Sequence, residues 1–282
     1  MESCLLEVSL KFGVIALASF FAVWPRPSFA DTSAAHVSRG DALMVKHDVG
    51  GAIGEYQQAL RLKPNDERAH FELAMALKVK GDLDAAILEY RKVIRLDPKL
   101  AEAHANLGSA LEAKNDLDGA IAEDREAIRL EPGLAQGHAN LGSVLRLKHD
   151  LPASITESRE AIRLNPGLAE AHRDLGFALG LNRDMDGAIT ELHEALRLNP
   201  GFVEAHAGLG DALRAKNDLD AAILEYRAAI QLDPNYALGH FNLAGALTAK
   251  GNRAEAAQEF AKAARLDPKL KLPTPGSQRR PH

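Results

Sequence analysis

The sequence predicts an all-α fold, a right-handed superhelical solenoid of seven helical hairpins. Three observations carry this expectation. First, the chain repeats itself every 34 residues in seven uninterrupted blocks, 33–66, 67–100, 101–134, 135–168, 169–202, 203–236 and 237–270. Second, each block holds the frame A-x-A-H-x-x-L-G-x-x-L near its start and L-D-x-A-I-x-E-x-x-x-A-I-R-L-x-P-x-x near its end, with few departures. Third, the apolar residues in each half of a block fall three and four apart, the spacing of one helix face. A unit this short cannot enclose a core, so it buries its apolar face against its neighbours in a stack.

Positions are counted 1 to 34 within a block. In block 101–134 the first helix carries Ala103, Leu107, Ala110 and Leu111 on one stripe. Position 8 is glycine in five blocks and alanine in two. A helical glycine costs about 1 kcal/mol relative to alanine, so close approach of the neighbouring helix is expected there. Position 15 breaks the first helix with His47, Gly81, Asn115, His149, Arg183, Asn217 or Gly251, where a left-handed turn suits glycine and asparagine best. Position 14 is lysine in six blocks, a cation that complements the C-terminal end of the first helix. Position 16 is aspartate in six blocks and Asn252 in the last, each a good N-cap for the second helix.

The second helix of the same block places Leu117, Ala120, Ile121, Ala127, Ile128 and Leu130 on its own stripe. Small residues recur at positions 20 and 27, Ser154 and Val93 being the exceptions to alanine, so that the two helices interlock. Proline at position 32, from Pro64 to Pro268, ends every block because it cannot continue a helix and disfavours helical dihedrals in the residue before it. The last block exchanges apolar bulk for Arg253, Ala257 and Ala264 at positions that elsewhere face the next repeat. Arg39 replaces leucine at position 7 of the first block. Both changes suit terminal, water-facing repeats.

Outside the repeats, residues 12–24 (FGVIALASFFAVW) follow Lys11 and precede Pro25 and Pro27. The stretch is short for a membrane span and fits the apolar region of a secretory signal, with Ser28 and Ala30 at the positions a signal peptidase reads. Residues 1–30 are therefore expected to be a signal peptide cleaved after Ala30, or an N-terminal anchor through residues 12–24, and the mature chain periplasmic or secreted. Residues 271–282 (KLPTPGSQRRPH) are expected to form a basic, proline-rich, disordered tail. The net charge of -5 argues against a nucleic-acid surface. The single cysteine, Cys4, lies in the leader, so no cysteine chemistry is expected of the mature chain.

With its period, Leu73, Leu107, Leu141, Leu175, Leu209 and Leu243 at position 7, aromatic Tyr56, Tyr90, Tyr226 and Phe260 at position 24, and proline at 32, the chain resembles the tetratricopeptide repeat family across residues 33–270. Asp124, Ser158 and Leu192 depart from the aromatic, and histidine replaces the family's bulky aromatic at position 4 in all seven blocks. The resemblance implies a concave groove, lined by the first helices, that holds a peptide or partner protein. The A-H-A-N-L-G wording is similar to the repeats attached to O-linked N-acetylglucosamine transferases, without the transferase domain. In those repeats asparagines at position 6 clamp an extended peptide, which implies such a role for Asn106, Asn140 and Asn242. Ser38, Glu72, Asp174 and Gly208 break that ladder.

Candidate binding residues are those that the core stripe does not claim and that vary between blocks: Glu102, Asn106, Ser109, Asn140, Ser143, Arg146, Arg173, Asp174, Phe177, Asp211 and Arg214, with Glu112 and Glu170 beside them. They read as a mixed polar lining suited to an extended chain. The histidines at position 4, His36 to His240, read as core residues. One imidazole per layer, about 10 Å apart, cannot share a metal whose ligands lie near 2 Å, so no metal and no cofactor are expected. The glutamate at position 23 of every block reads as part of a solvated outer face paired with arginines. No catalytic pattern is present, so the expected role is a protein–protein interaction scaffold, not an enzyme. The alternative is a structural subunit of an envelope or secretion-related assembly that uses its outer surface. Without an aromatic at position 24, residues 117–168 are expected to be the weak part of the stack.

Overall fold

The computed structural model describes residues 32–270; the expected leader and tail lie outside the described residues. Fourteen helices alternate among the described residues: α1 Ser33–Val45, α2 Val49–Leu62, α3 Glu67–Lys80, α4 Leu83–Leu96, α5 Ala101–Ala113, α6 Leu117–Leu130, α7 Ala135–Leu147, α8 Leu151–Leu164, α9 Ala169–Leu181, α10 Met185–Leu198, α11 Val203–Ala215, α12 Leu219–Leu232, α13 Ala237–Ala249 and α14 Arg253–Leu266. They form seven hairpins, one per block. Odd-numbered helices also pack on the next odd-numbered helix, as α5 does on α7 and α7 on α9, and the even-numbered helices have no comparable contact with one another. The odd helices therefore lie on the inside of the curve and the even helices on the outside.

Each hairpin is set by local chemistry. All seven residues at position 15 adopt positive φ, from 60° at His47 to 89° at Gly251. All seven position-16 side chains accept a hydrogen bond from the backbone N–H three residues on, as Asp150 does from Ala153. Arg183 holds φ 67° with a Cβ, a conformation that costs a side-chain-bearing residue about 1–2 kcal/mol. Arg183→Gly is expected to stabilise the chain by about 1 kcal/mol, read as a higher urea midpoint; an unchanged or lower midpoint would show that the turn is unstrained.

The position-8 glycines sit under the side chain at position 24 of the same hairpin. A Cβ at Gly210 would lie 2.6 Å from the Tyr226 ring, and one at Gly142 would lie 2.6 Å from Ser158 Oγ. At the C-terminal end Arg253 and Ala257 are exposed and Ala264 is half-buried, consistent with a final helix facing water. Lysines at position 14 do more than complement a helix end. Lys114 pairs with Asp84 at 2.9 Å, and Lys148, Lys216 and Lys250 pair in the same way with Asp118, Asp186 and Asp220 of the preceding repeat. Such exposed pairs stabilise by less than about 1 kcal/mol each, so they set register more than strength.

The glutamates at position 23 correct the sequence reading. They are half-buried rather than fully solvated, apart from buried Glu259, and their principal partner is a histidine. Each receives the Nδ1 of the histidine at position 4 of its own hairpin, at 2.5–2.7 Å in all seven repeats from His36–Glu55 to His240–Glu259. In repeats 2 to 7 the other ring nitrogen lies 2.9–3.4 Å from the carbonyl of the preceding block's proline, as His70 Nε2 does from Pro64. A carbonyl can only accept, so Nε2 carries a proton there. The histidine thus ties both helices of a hairpin to the loop that enters it. Glu89 and Glu259 also pair with Lys92 and Lys262 one turn on, and Glu126–Arg129, Glu160–Arg163 and Glu194–Arg197 supply further outward ion pairs.

The bond from Glu191 is the largest influence on His172 and raises its pKa against the opposing effect of burial. A raised histidine pKa adds stability that is complete below the unfolded value, near 6.5, and is lost as pH rises through the folded value. Glu191→Gln is therefore expected to lower the His172 pKa, seen by NMR titration. It should also destabilise the chain more at pH 6 than at pH 9. An unmoved His172 pKa would contradict the pairing.

Candidate functional site

The groove is lined by α1, α3, α5, α7, α9, α11 and α13. The candidate residues all lie on these helices, but their surroundings divide them. Glu102, Asp211 and Arg214 are exposed; Asn106, Ser109, Arg146, Arg173 and Phe177 are half-buried; Asn140, Ser143 and Asp174 are buried. The buried three are occupied inside the protein. Asn140 Nδ2 donates to the Ala105 carbonyl of the preceding repeat at 2.8 Å, and its Oδ1 accepts from Gln136. Ser143 donates to Glu112 at 2.7 Å. Asp174 sits between Arg146, 3.6 Å away, and Arg173, 3.1 Å away.

The asparagine amides are engaged within the protein. Asn106 donates to its own helix at the Glu102 carbonyl, while Asn140 donates to Ala105 and Asn242 to Asp211, at 3.2 Å, of the preceding repeat. Asn140 is buried, whereas Asn106 and Asn242 remain half-buried and line groove pockets. Glu102, Ser109, Phe177, Glu204 and Asp211 also keep surface on the groove.

Beneath the groove, position 24 decides the floor. In repeats 1 and 6 the aromatic reaches through to position 9, where Tyr56 donates to Asp41 and Tyr226 to Asp211. In repeat 6, Arg214 Nε also donates to Tyr226 Oη at 3.3 Å. Repeats 3 and 4 lack this. Asp124 is fully buried, with neither carboxylate oxygen hydrogen-bonded, and Ser158 Oγ and Arg146 Nε are buried without partners. Burial pushes the Asp124 pKa up to about 8, Glu112 and Glu123 add to the effect, and the Asn140 amide and Lys78 oppose it. Lys78 itself donates to Ser109 at 2.7 Å, and burial lowers its pKa.

Repeat 5 differs again, and here the polar reading of the lining is corrected. A cavity of about 470 Å³ opens on the groove where α9, α11 and α13 meet above α10, and its wall is mostly apolar. Leu192 forms its base, Phe177, Leu181, Tyr236 and Leu238 its sides, and Arg146 and Glu204 part of its mouth. Leu181 and Leu238 are about half exposed, at 53% and 48%. Three departures from the repeat frame make this room. Leu192 replaces the aromatic at position 24. Gly180 occupies position 12, where other repeats carry Met44, Lys78, Glu112, Arg146, Arg214 and Thr248. Gly208 occupies position 6, and a Cβ there would collide with the Phe177 ring, so its absence lets that ring pack closely against α11. Each departure was visible in the sequence, but they fall at different positions, Gly180 and Leu192 in one block and Gly208 in the next, and their meeting point is set by the stacking.

The guanidinium of Arg146 lies 5.4 Å from the Phe177 ring centroid, and that of Arg173 lies 5.2 Å from Phe202. Both arginines have Asp174 beside them, and the charges of Glu170 and Glu204 also act on Arg173. Glu204 is exposed and makes no hydrogen bond or ion pair among the described residues.

Family models for the TPR repeat match residues 76–115 and 210–251, and those for the tetratricopeptide repeat match 101–133 and 238–270. No curated protein matches the sequence significantly. Among solved structures the fold is similar to that of the APC/C hetero-tetramer Cut9-Hcn1, at 20% identity and TM-score 0.73, covering 77% of this chain and 43% of that one. The chain thus spans less than half of that protein. It is also similar to pilF of Pseudomonas aeruginosa, at 22% identity and TM-score 0.62, covering 74% of this chain and 96% of that one. A third likeness is to YrrB, a TPR protein with an unusual peptide-binding site, at 24% identity and TM-score 0.50, covering 64% of this chain and 93% of that one.

Proposed function

The chain carries tetratricopeptide repeats, matched within residues 76–133 and 210–270, and from that premise we propose that it is an interaction scaffold that holds an extended peptide or a partner protein in its concave groove. The observation that carries this reading is the cavity of about 470 Å³ on the groove side, in the size range of pockets that seat ligand groups. Buried groove residues such as Asn140 and Asp174 keep the surface rigid, so an occupant would meet a preformed shape. The fold that the chain shares with YrrB carries a peptide site in that protein. Binding, not catalysis, is the role the stack supports.

We further propose that the scaffold works outside the cytoplasm, as a periplasmic or secreted protein or one anchored through residues 12–24, because an apolar stretch precedes small residues at 28 and 30. N-terminal sequencing of the product from cells tests this, and a chain beginning at Met1 without membrane association would refute it. The rival role, an assembly subunit using the outer surface, is favoured by Leu88 and Leu224, exposed at 58% and 64% on the outer helices.

A pull-down separates the two. Bait protein carrying Glu102→Arg and Asp211→Arg on the groove is compared with bait carrying Leu88→Asp and Leu224→Asp on the outer face. Loss of partner with the first bait and retention with the second is expected. The reverse would move the function to the outer surface.

A further inference from the structure

The geometry points to an anchor site for one large apolar side chain, of phenylalanine, tryptophan or leucine, that a partner's extended segment inserts between α9, α11 and α13 with a cationic residue close to it in sequence. This deepens the groove reading and rests on it.

The space comes first. The cavity exists because repeat 5 has no ring at position 24 and no long side chain at position 12, while Gly208 at position 6 of repeat 6 lets the Phe177 ring pack against α11 as part of its wall. Elsewhere in the stack the group at position 12 is larger. In repeat 6, for example, Arg214 stands there and meets Tyr226. A bare apolar cavity open to water is unfavourable, at about 25 cal/mol for each Å² left wet. Phe177 and Tyr236 line the cavity with aromatic surface for an entering side chain, and Leu181 and Leu238 extend the apolar rim beyond the cavity.

Charge then selects the neighbour. On the cationic side of the mouth Arg146 has Asp174, which it shares with Arg173, at 3.6 Å and lies over Phe177. On the acidic side Asp211 is already engaged by Arg214, Tyr226 and Asn242. Glu204 is exposed and makes no hydrogen bond or ion pair among the described residues. A lysine or arginine one to three residues from the anchor would meet the Glu204 carboxylate, and an acidic neighbour would be repelled by it.

The pocket can be closed without disturbing the fold. A Cβ at Gly180 would meet only the Ala188 Cβ, at 3.7 Å, and Met44 occupies the equivalent position in the first repeat. Gly180→Met should fill the cavity and keep the helix.

The test is selection of a displayed random 12-residue peptide library on the full chain. Selected peptides are then titrated by fluorescence anisotropy against wild type, Gly180→Met and Glu204→Lys. Circular dichroism checks that both variants are folded. The expected result is enrichment of peptides with one Phe, Trp or Leu beside Lys or Arg. Binding should weaken at least tenfold in Gly180→Met, and about threefold in Glu204→Lys with the loss shrinking at high salt. Peptides that compete with each other in the groove yet bind Gly180→Met as tightly as wild type would overturn the anchor site and leave the groove reading standing. Enrichment of acidic flanks, or of no sequence at all, would also overturn it. Peptides blocked by Leu88→Asp and Leu224→Asp but not by Glu102→Arg would overturn the groove reading itself.

Discussion

Asp124→Asn is expected to raise the stability of α5 and α6 by about 4 kcal/mol at pH 7, and the gain should shrink toward zero near pH 4. Asp124 is fully buried with both oxygens unpartnered, and burial pushes its pKa up to about 8 from an ordinary 3.8. The sign follows from proton counting. Between those two values the unfolded chain releases the proton and the folded chain keeps it. Stability therefore falls as pH rises across that window, by about 1.4 kcal/mol per unit for one group. Above pH 8 the loss levels off with a charged carboxylate held in the core. Glu112, Glu123 and Lys78 face the same site and moderate the profile without reversing it. Asparagine keeps the shape beside Gly108 and cannot ionise. Amide exchange of α5 and α6 at pH 5, 6, 7 and 8 in both proteins measures the effect. Parallel profiles for wild type and variant would show that Asp124 is solvated and ordinary.

Ser158→Tyr is expected to stabilise the centre of the stack by about 1–2 kcal/mol. A tyrosine at this position would lie over Gly142 as Tyr226 lies over Gly210, covering part of the 150–250 Å² that an aromatic typically buries. Its hydroxyl would accept from Arg146 Nε, now buried without a partner, as Tyr226 accepts from Arg214. It would donate to Ser143, as Tyr226 donates to Asp211. Ser158→Phe supplies the ring alone and should recover less, by about 1 kcal/mol. In the wild type, amides in residues 117–168 should exchange faster than those of the flanking repeats, because local stability in a solenoid is a sum over neighbouring units. A lower melting temperature in Ser158→Tyr would show that fully buried Val144, which replaces alanine at position 10, and Arg146 already fill the space.

The fold was legible because its information is local and repeated. Turn residues at position 15, caps at position 16 and prolines at position 32 each act within a few residues, and all seven left-handed turns and all seven caps stand where the frame puts them. What joins one helix to another was less legible. The His–Glu pairs span 19 residues and two helices, so neither helix's periodicity reveals them. The available signal was that both residue types are constant in every block at a fixed separation. The candidate groove residues lie on the inner helices, but variability alone could not tell exposed Glu102 and Asp211 from Asn140, Ser143 and Asp174, which are spent on their neighbours. The apolar cavity was least legible, since Gly180 and Leu192 meet across one hairpin and Gly208 joins them only through the rise to the next repeat.

The central claim is that partners are held on the inner surface. Its most direct test is photo-crosslinking in cells with a benzophenone side chain placed singly at Glu102, Ser109 and Phe177 of the groove and at Arg125, Arg159 and Leu224 of the outer face. Adducts from the first three positions and none from the last three are predicted. Adducts confined to Arg125, Arg159 and Leu224 would contradict the claim.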